Sequence, residues 1–286
     1  MNTTHTILIT GGSGFIASRL AQRYQQSGLT VLAPNRKSLD ISDSDAIRQY
    51  FELHQPTLVF HLAGMSSTEG CEQNQLLAKK INVDATTEIA KACKAHQAKM
   101  VFFSTEQVFN GNSEAGPYTE SSTPIPNTYY GTTKLMAETE VLKHCPTAWI
   151  LRLTWVYGLP TKEFPKVNPN ILWDSIVAGK EETLISASKN EYRGLTEVGE
   201  LMSHLDHIET IPYGIYHFGS ENNVSRYEIT EYILRELNFD ADNLLREKRA
   251  GIRDLRLSNE KIKGEGLSFR DSKTAISASI KAYQQQ

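Results

Sequence analysis

Thr6-Ile7-Leu8-Ile9-Thr10-Gly11-Gly12-Ser13-Gly14-Phe15-Ile16-Ala17 is the stretch whose reading decides the fold. A short β-branched, apolar run leads straight into a glycine-rich turn, and the turn opens an amphipathic run from Phe15 to Gln26. A glycine motif placed between a strand and a helix is far more specific than the same glycines elsewhere. Gly11 can make the tight turn, and Gly14 lets the backbone approach a pyrophosphate. The helix N-terminus offers phosphate its unbonded N–H groups and the positive end of its dipole. Ala17 takes the third small position, where helix and strand pack closely. Gly11, Ser13, Gly14, Phe15 and Ile16 are thus candidate contacts to a dinucleotide.

Working outward, apolar β-branched runs alternate with helical patterns. The runs are Thr6 to Thr10, Thr30 to Ala33, Leu58 to Ala63, Met100 to Ser104 and Trp149 to Leu153. Between them lie Phe15 to Gln26, Ala46 to His54, Lys80 to His96 and Tyr130 to Lys143, which read as helices. This alternation implies βαβ units, hence an α/β protein with a Rossmann-type, doubly wound parallel sheet. Past Gly158 the rhythm changes: Leu159 to Asn170 carries three prolines, and a basic interval Arg246 to Arg256 precedes a terminal helix Ser272 to Tyr283. The expected division is a nucleotide-binding domain over 1–158, joined by about 193–218, and a smaller C-terminal substrate-binding lobe from 159–192 and 219–286.

The formal net charge of −3, with 22% charged and 40% hydrophobic residues, gives no reason to expect nucleic acid or a membrane surface as partner. Cys71, Cys93 and Cys145 are an odd number without CxxC spacing, so neither a disulfide framework nor a zinc cluster is expected. His204-Leu205-Asp206-His207 lacks a third ligand at a recognisable spacing and reads as two exposed histidines on a helix from Thr196 to His207, with no metal. The N-terminus shows no basic leader, and no apolar run is long enough to span a bilayer. A cytoplasmic monomer or homodimer is the expectation.

The end of the second strand selects the cofactor. An acid there would hold the ribose hydroxyls of NAD, whereas Arg suits a 2′-phosphate; the chain reads Asn35-Arg36-Lys37, which prefers NADP(H) and leaves NAD(H) possible. The chemistry is signalled by Tyr130-Gly131-Thr132-Thr133-Lys134. At i and i+4 on a helix the phenol and ammonium share a face, and a nearby cation makes a phenol a better acid. Thr105 follows the fourth strand, where a doubly wound sheet places its ligands. Beside a nucleotide loop, these residues suit carbonyl or alcohol redox chemistry.

These motifs resemble the extended short-chain dehydrogenase/reductase superfamily, and within it the dTDP-4-dehydrorhamnose reductase family. Matching stretches run through nearly the whole chain: Asp40-Ile41, His61-Leu62-Ala63-Gly64, Asn82-Val83-Asp84-Ala85-Thr86, Ser104 to Gly111, Pro117-Tyr118-Thr119-Glu120, Arg152 to Gly158, Gly214 to Phe218 and Leu255 to Asn259. The resemblance implies that Tyr130 protonates a sugar ketone, that Lys134 lowers its pKa and binds the nicotinamide ribose, and that Thr105 hydrogen-bonds the substrate oxygen. It further implies that Asp40 and Ile41 line the adenine pocket, that Leu62, Ala63 and Gly64 follow the cofactor, and that Asn82 supports the active-site strand. Trp155 becomes a platform for the sugar or nicotinamide, and Arg253 a clamp for substrate phosphate. The implied partner is a sugar or sugar nucleotide.

The chain departs from the family where Thr-Asp-Tyr-Val-Phe becomes Thr105-Glu106-Gln107-Val108-Phe109. The acid that meets the sugar hydroxyls gains a methylene, and an aromatic ring is lost. Two other activities share the scaffold. One is an NAD-dependent epimerase or dehydratase, against which the missing acid at Asn35 or Arg36 counts. The other is a non-catalytic cofactor-binding regulatory subunit, resembling the beta subunit of methionine adenosyltransferase.

Overall fold

The computed structural model describes residues 6–165 and 167–285. Met1 to His5, part of the stretch read as free of a basic leader, lie outside the described residues. Two compact units divide the chain: the first comprises Met1–Asn112, Thr123–Arg152 and Glu209–Tyr216, and the second Ser113–Ser122, Leu153–Ile208 and His217–Gln286. Among the described residues no helix is long and apolar enough to cross a membrane, and no cluster of His, Cys, Asp and Glu side chains could hold a metal ion.

The first unit is built on β1 (Thr6–Thr10), β2 (Thr30–Leu32), β3 (Leu58–His61), β4 (Lys99–Thr105) and β5 (Ala148–Leu153). With the strand Gly214–Phe218 they form a six-stranded sheet in which β5 follows that strand and β4, β3, β1 and β2 follow in turn. The pairings of β1 with β2, β1 with β3, and β3 with β4 are parallel. All four residues of β3 are buried, which is why it reads as an unbroken apolar run ended by His61. The strand Gly214–Phe218 was visible in the sequence only as a resemblance motif. It lies 61 positions beyond Leu153, so no local strand–helix rhythm announces it.

Helices α1 (Phe15–Gln26), α2 (Ser44–His54), α3 (Thr68–Gln73), α4 (Gln75–Lys79), α5 (Ala85–Ala95) and α6 (Tyr129–His144) complete this unit. Helix α1 buries Ala17, Leu20, Ala21 and Tyr24, the i, i+3, i+4, i+7 stripe of an amphipathic helix, and Tyr24 meets Phe60 at a ring separation of 5.6 Å. On α2, Asp43 accepts from the N–H groups of Asp45 and Ala46 and so caps the helix. Ile47 and Phe51 then join Val59, Ile89, Met100, Phe102, Val141 and Ile150 in one core cluster. The helix expected over Lys80 to His96 instead begins with a π-helical turn, Lys80–Asp84, before α5. Such turns gather at functional sites, and this one carries Asn82.

In the second unit, three short parallel pairs join Trp155–Tyr157 to Leu195–Glu197, Glu191–Arg193 to Arg253–Leu255, and Ile185–Ala187 to Leu245–Glu247. Tyr157, Leu172, Ile176, Ile229, Ile233, Ile276 and Ile280 form its core. The helix Arg226–Glu236 starts in a capping box of Ser225 and Glu228. His204 departs from the exposed position expected of it. Its ring packs 4.1 Å from Phe269, because the helix Val198–Leu205 turns that side toward an aromatic pair of Phe218 and Phe269.

The glycine loop is fixed by contacts that leave no room for a side chain. Gly11 turns at φ +70°, and a Cβ on Gly12 would come within 2.3 Å of the Ala33 carbonyl oxygen. The N–H of Gly12 also donates to the Pro34 carbonyl at 3.1 Å, locking the loop to the end of β2. Gly12→Ala is therefore expected to destabilise the protein by about 1–3 kcal/mol, the usual range for overpacking. A urea melt indistinguishable from the unmutated protein's would show that the loop can move aside.

Candidate active site

The candidate residues of the first unit collect at the carboxyl ends of β1, β2, β3 and β4, where open α/β sheets bind their ligands. Gly14 is the N-cap of α1 and has no side chain to accept from the first turn. The first helical N–H groups are left for an outside acceptor, the arrangement that holds phosphate. Asn35 accepts at Oδ1 from the N–H groups of Lys37 and Ser38, at 2.9 and 3.2 Å, closing a tight turn. That turn leaves the Arg36 guanidinium 78% exposed, with Asp40 at 3.6 Å. Hydrogen bonds from Ser42 hold the Asp40 carboxyl below its ordinary value, with Arg36 contributing less. Ile41 packs into the core.

Behind the glycine loop, donor arithmetic fixes a chain of hydrogen bonds. The Thr10 hydroxyl oxygen accepts from the N–H groups of Leu62 and Ala63, both at 3.1 Å. Its one proton is then free for His61 Nδ1 at 2.8 Å. The His61 proton must sit on Nε2, donating to Thr86 Oγ1 at 3.0 Å, and Thr86 donates onward to the Asn82 carbonyl at 2.8 Å. Burial, with the charge of Lys134 adding to it, lowers the His61 pKa to about 3, so the ring stays neutral. The Asn82 side chain accepts from Met65 N–H at 2.7 Å and donates to Met65 O and to Thr133 Oγ1. Thr133 donates to the Tyr130 carbonyl at 2.8 Å. Asn82 thus ties the loop after β3 to α6.

Helix α6 is capped by Thr128, whose hydroxyl accepts from Gly131 N–H. It carries Tyr130, Lys134 and Glu138 at successive i, i+4 positions. Thr105, the last residue of β4, stands close enough to the Tyr130 phenol to ease its ionisation. The phenol is held above its ordinary value, the opposite of what a neighbouring ammonium alone would dictate. Burial is the first cause and the Glu106 carboxylate the second, while Thr105 pulls the other way. Lys134 lies with Nζ 4.1 Å from the Phe102 ring centre. Burial brings its pKa down to about 8, against the opposing pull of Glu138 and Cys71. The lowering of Tyr130 expected from Lys134 is therefore corrected: desolvation dominates both groups.

Glu138 accepts from Ser104 Oγ at 2.5 Å and from Arg152, whose Nη2 reaches it at 2.7 Å with both side chains 3% exposed. Glu106 is buried beside Thr105, whose hydroxyl donates to Glu106 Oε2 at 3.2 Å. Gln107 is also buried, and among the described residues its Oε1 has no hydrogen-bond partner.

Trp155 and Arg253 fall in the second unit, within one charged cluster. Glu191 faces Arg193 at 2.7 Å, Arg226 at 3.3 Å and Arg253 at 3.5 Å. Burial pushes the Glu191 carboxyl up, but the three guanidinia together hold it below its ordinary value. Arg193 lies over the Trp155 ring at 3.9 Å. Sequence reasoning missed Glu191, Arg193 and Arg226, which carry no local motif. It also assigned no role to His61, Thr86 or Arg152, although all three stood in the matched stretches.

The sheet, the glycine loop and the Thr105, Tyr130, Lys134 group define an extended short-chain dehydrogenase/reductase. A family model described as the RmlD substrate binding domain matches residues 5–283, and the chain belongs to that family. It is 31% identical over 217 residues to dTDP-4-dehydrorhamnose reductase of Streptomyces griseus, across 73% of this chain and 69% of that protein. It is 26% identical over 253 residues to methionine adenosyltransferase 2 subunit beta of Danio rerio, covering 84% and 76% of the two. Among solved structures, dTDP-4-dehydrorhamnose reductase from Bacillus anthracis in complex with NADP shares the fold, with a TM-score of 0.87, 99% of each chain covered and 23% identity.

One pH dependence follows from Lys134. The ammonium is charged below about pH 8 and neutral above it, so a cofactor held by that charge binds less tightly as pH rises through this value. Fluorescence titrations of NADPH from pH 6 to 10, roughly, should show affinity breaking downward near the Lys134 pKa, with the break absent in Lys134→Met. A pH-independent affinity in the unmutated protein would remove Lys134 from the cofactor site.

Proposed function

We propose that this NAD(P)-dependent oxidoreductase reduces the ketone of a nucleotide-linked 4-keto-6-deoxy sugar, with NADPH as the reductant. The observation that carries the reading is the phenol of Tyr130. It is half-buried, stands at the end of β4 beside Thr105 and Glu106, and is kept in its protonated form by desolvation and by the Glu106 carboxylate, as a group that must deliver a proton to a developing alkoxide requires.

When bound, the reduced nicotinamide supplies a hydride to the carbonyl carbon. The glycine loop and the first turn of α1 take the pyrophosphate, through Gly11, Ser13, Gly14, Phe15 and Ile16. Asn35 shapes the turn that presents Arg36 to the 2′-phosphate, and Asp40, Ile41, Leu62, Ala63, Gly64 and Asn82 complete the cofactor's surroundings. Lys134 anchors the ribose. Thr105 orients the substrate oxygen and Tyr130 protonates it, while Glu106 accepts from sugar hydroxyls and Trp155 stacks on the sugar. Arg253, with Arg193 and Arg226, offers three guanidinia against one carboxylate, a balance that suits a diphosphate.

A second reading is supported by the likeness to methionine adenosyltransferase 2 subunit beta: a cofactor-binding chain that does not turn over. An epimerase or dehydratase that keeps NAD is disfavoured by Arg36 standing where an acid would bind the ribose hydroxyls.

Two measurements test the proposal. Tyr130→Phe should cut turnover of NADPH with a keto-sugar nucleotide by about 100- to 10,000-fold, the usual contribution of a general acid, with cofactor affinity little changed. Near-normal turnover would end the assignment, and no turnover by the unmutated protein across a keto-sugar panel would favour the regulatory reading. Arg36→Asp should weaken NADPH far more than NADH by calorimetry. Equal or tighter NADH binding by the unmutated protein would overturn the preference for NADP(H).

A further inference from the structure

A buried ammonium needs either a carboxylate or surroundings that attract its charge without one. Lys134 is 9% exposed, and the carboxylate one turn further along α6 is already taken. Glu138 accepts from the Ser104 hydroxyl and from two nitrogens of Arg152. Among the described residues no hydrogen bond or ion pair engages Lys134 Nζ. What lies against it is a ring. Nζ stands 4.1 Å from the centre of Phe102, a distance at which the negative face of an aromatic ring attracts a cation.

The strand places that ring. Phe102 and Ser104 share one face of β4 by the strand's period of two, so β4 offers α6 a hydroxyl for Glu138 and a π face for Lys134. The Phe102 ring is itself buried and stacks with the His61 imidazole at 5.9 Å and 23°. Because that imidazole is neutral, it sets no second positive charge beside the ring.

We propose that Phe102 is a positioning residue for the reaction: its ring holds Lys134 in the site as a cation and leaves the ammonium's N–H donors for the cofactor ribose. A carboxylate in that place would take one or two of the three donors and compete with the ribose hydroxyls. A ring face attracts the charge as a whole through its quadrupole. An aliphatic side chain would also leave the donors open, but nothing would then favour the charge, and burial would drive the proton off at lower pH. This role of the ring rests on the reading of Lys134 as the cofactor's anchor and adds what keeps the anchor charged.

Other ionisable groups lie on the elements around Lys134, and all of them are left in place when only position 102 is altered. On α6, Glu138 favours the charged form of Lys134, and Tyr130 stays protonated. On α3, burial keeps the Cys71 thiol protonated, and Glu72 accepts from the Tyr129 N–H. Glu106 follows β4, and on β5 Arg152 is bound to Glu138. Asp84 of the π turn and Glu88 of α5 are paired with Lys79 and Lys91.

The hold of the ring is measured on cofactor-free protein carrying lysine labelled with carbon-13 at Cε, with Lys134→Met identifying the Lys134 resonance. In the unmutated protein Lys134 titrates at about pH 8. Phenylalanines bearing one, two and three ring fluorines at position 102 keep the shape of the side chain and deplete its π face. Across that series the Lys134 titration should fall step by step, by about 0.5 to 1 unit in all, a roughly 3- to 10-fold rise in its ionisation constant. Phe102→Leu, which removes the ring, should lower it as well. A Lys134 titration unmoved by fluorination overturns the proposal, as does a fall in Phe102→Leu that the fluorinated rings do not reproduce, since packing alone would then account for it. The cofactor reports separately. The pH at which NADPH affinity breaks should move down in step with the titration. If the titration falls and NADPH affinity does not follow, the ring holds the ammonium for something other than the ribose, and the reading of Lys134 as the cofactor's anchor falls with that part of the proposal.

Discussion

The neutral imidazole of His61 is the constraint on which the rest of the first unit depends. It stands between the strand that ends in the glycine loop and the helix that follows the π turn, and it joins two hydroxyls that each have one proton to give. Because Thr10 already accepts two backbone N–H groups, every later bond in the chain has its direction set: Thr10 to His61, His61 to Thr86, Thr86 to Asn82. A charged imidazole would reverse the first link and leave Thr10 with donors on every side. Burial prevents this by making the charged ring too costly. The glycine loop and helix α6 are thereby held in one register by polar bonds in which every donor has an acceptor, the condition under which a buried network rigidifies a site.

The same interior holds a larger electrostatic problem. Lys134, Glu138 and Arg152 bring two cations and one anion into the interior of the first unit. Removing one partner of a buried pair typically costs about 3–5 kcal/mol, so Glu138 and Arg152 depend on each other. Their bidentate bond and Ser104 consume most of the carboxylate's accepting capacity, which leaves Lys134 only partly compensated. This explains why burial can bring its pKa down toward neutrality while it still keeps a proton near pH 7. Phe102 supplies a π face where no carboxylate is free.

Much of this architecture could be read from the chain. β1 and α1 fall where the apolar run and the amphipathic stripe place them, since both are long enough for their periods to show. Tyr130 and Lys134 were legible because i, i+4 spacing is a local property. The chain from Thr10 to Thr133 was not. Side chains bonded to one another in it lie up to 51 positions apart, and a buried threonine looks in sequence like any β-branched strand or helix residue. The same holds for Glu191, Arg193 and Arg226, which separate short strands and a helix bring together. The sign of the Tyr130 shift was also hidden. Spacing suggests a cation within reach, but burial depends on the whole packed unit, and here desolvation sets the direction of the shift.

What distinguishes a chain that turns over from one that only binds a cofactor is therefore to be sought in the interior. A glycine loop at the end of the first strand is a feature that a chain binding a dinucleotide without turnover would also need. Cofactor binding alone gives no reason to hold a phenol near a carboxylate that opposes its ionisation, or to keep an ammonium desolvated. Such groups are destabilising unless used, because each forfeits hydration that its neighbours only partly replace. Strained electrostatics of this kind gather where protons are transferred. A Tyr130 phenol kept protonated by desolvation and by the Glu106 carboxylate is the arrangement a reductase requires and a passive subunit would be better off without.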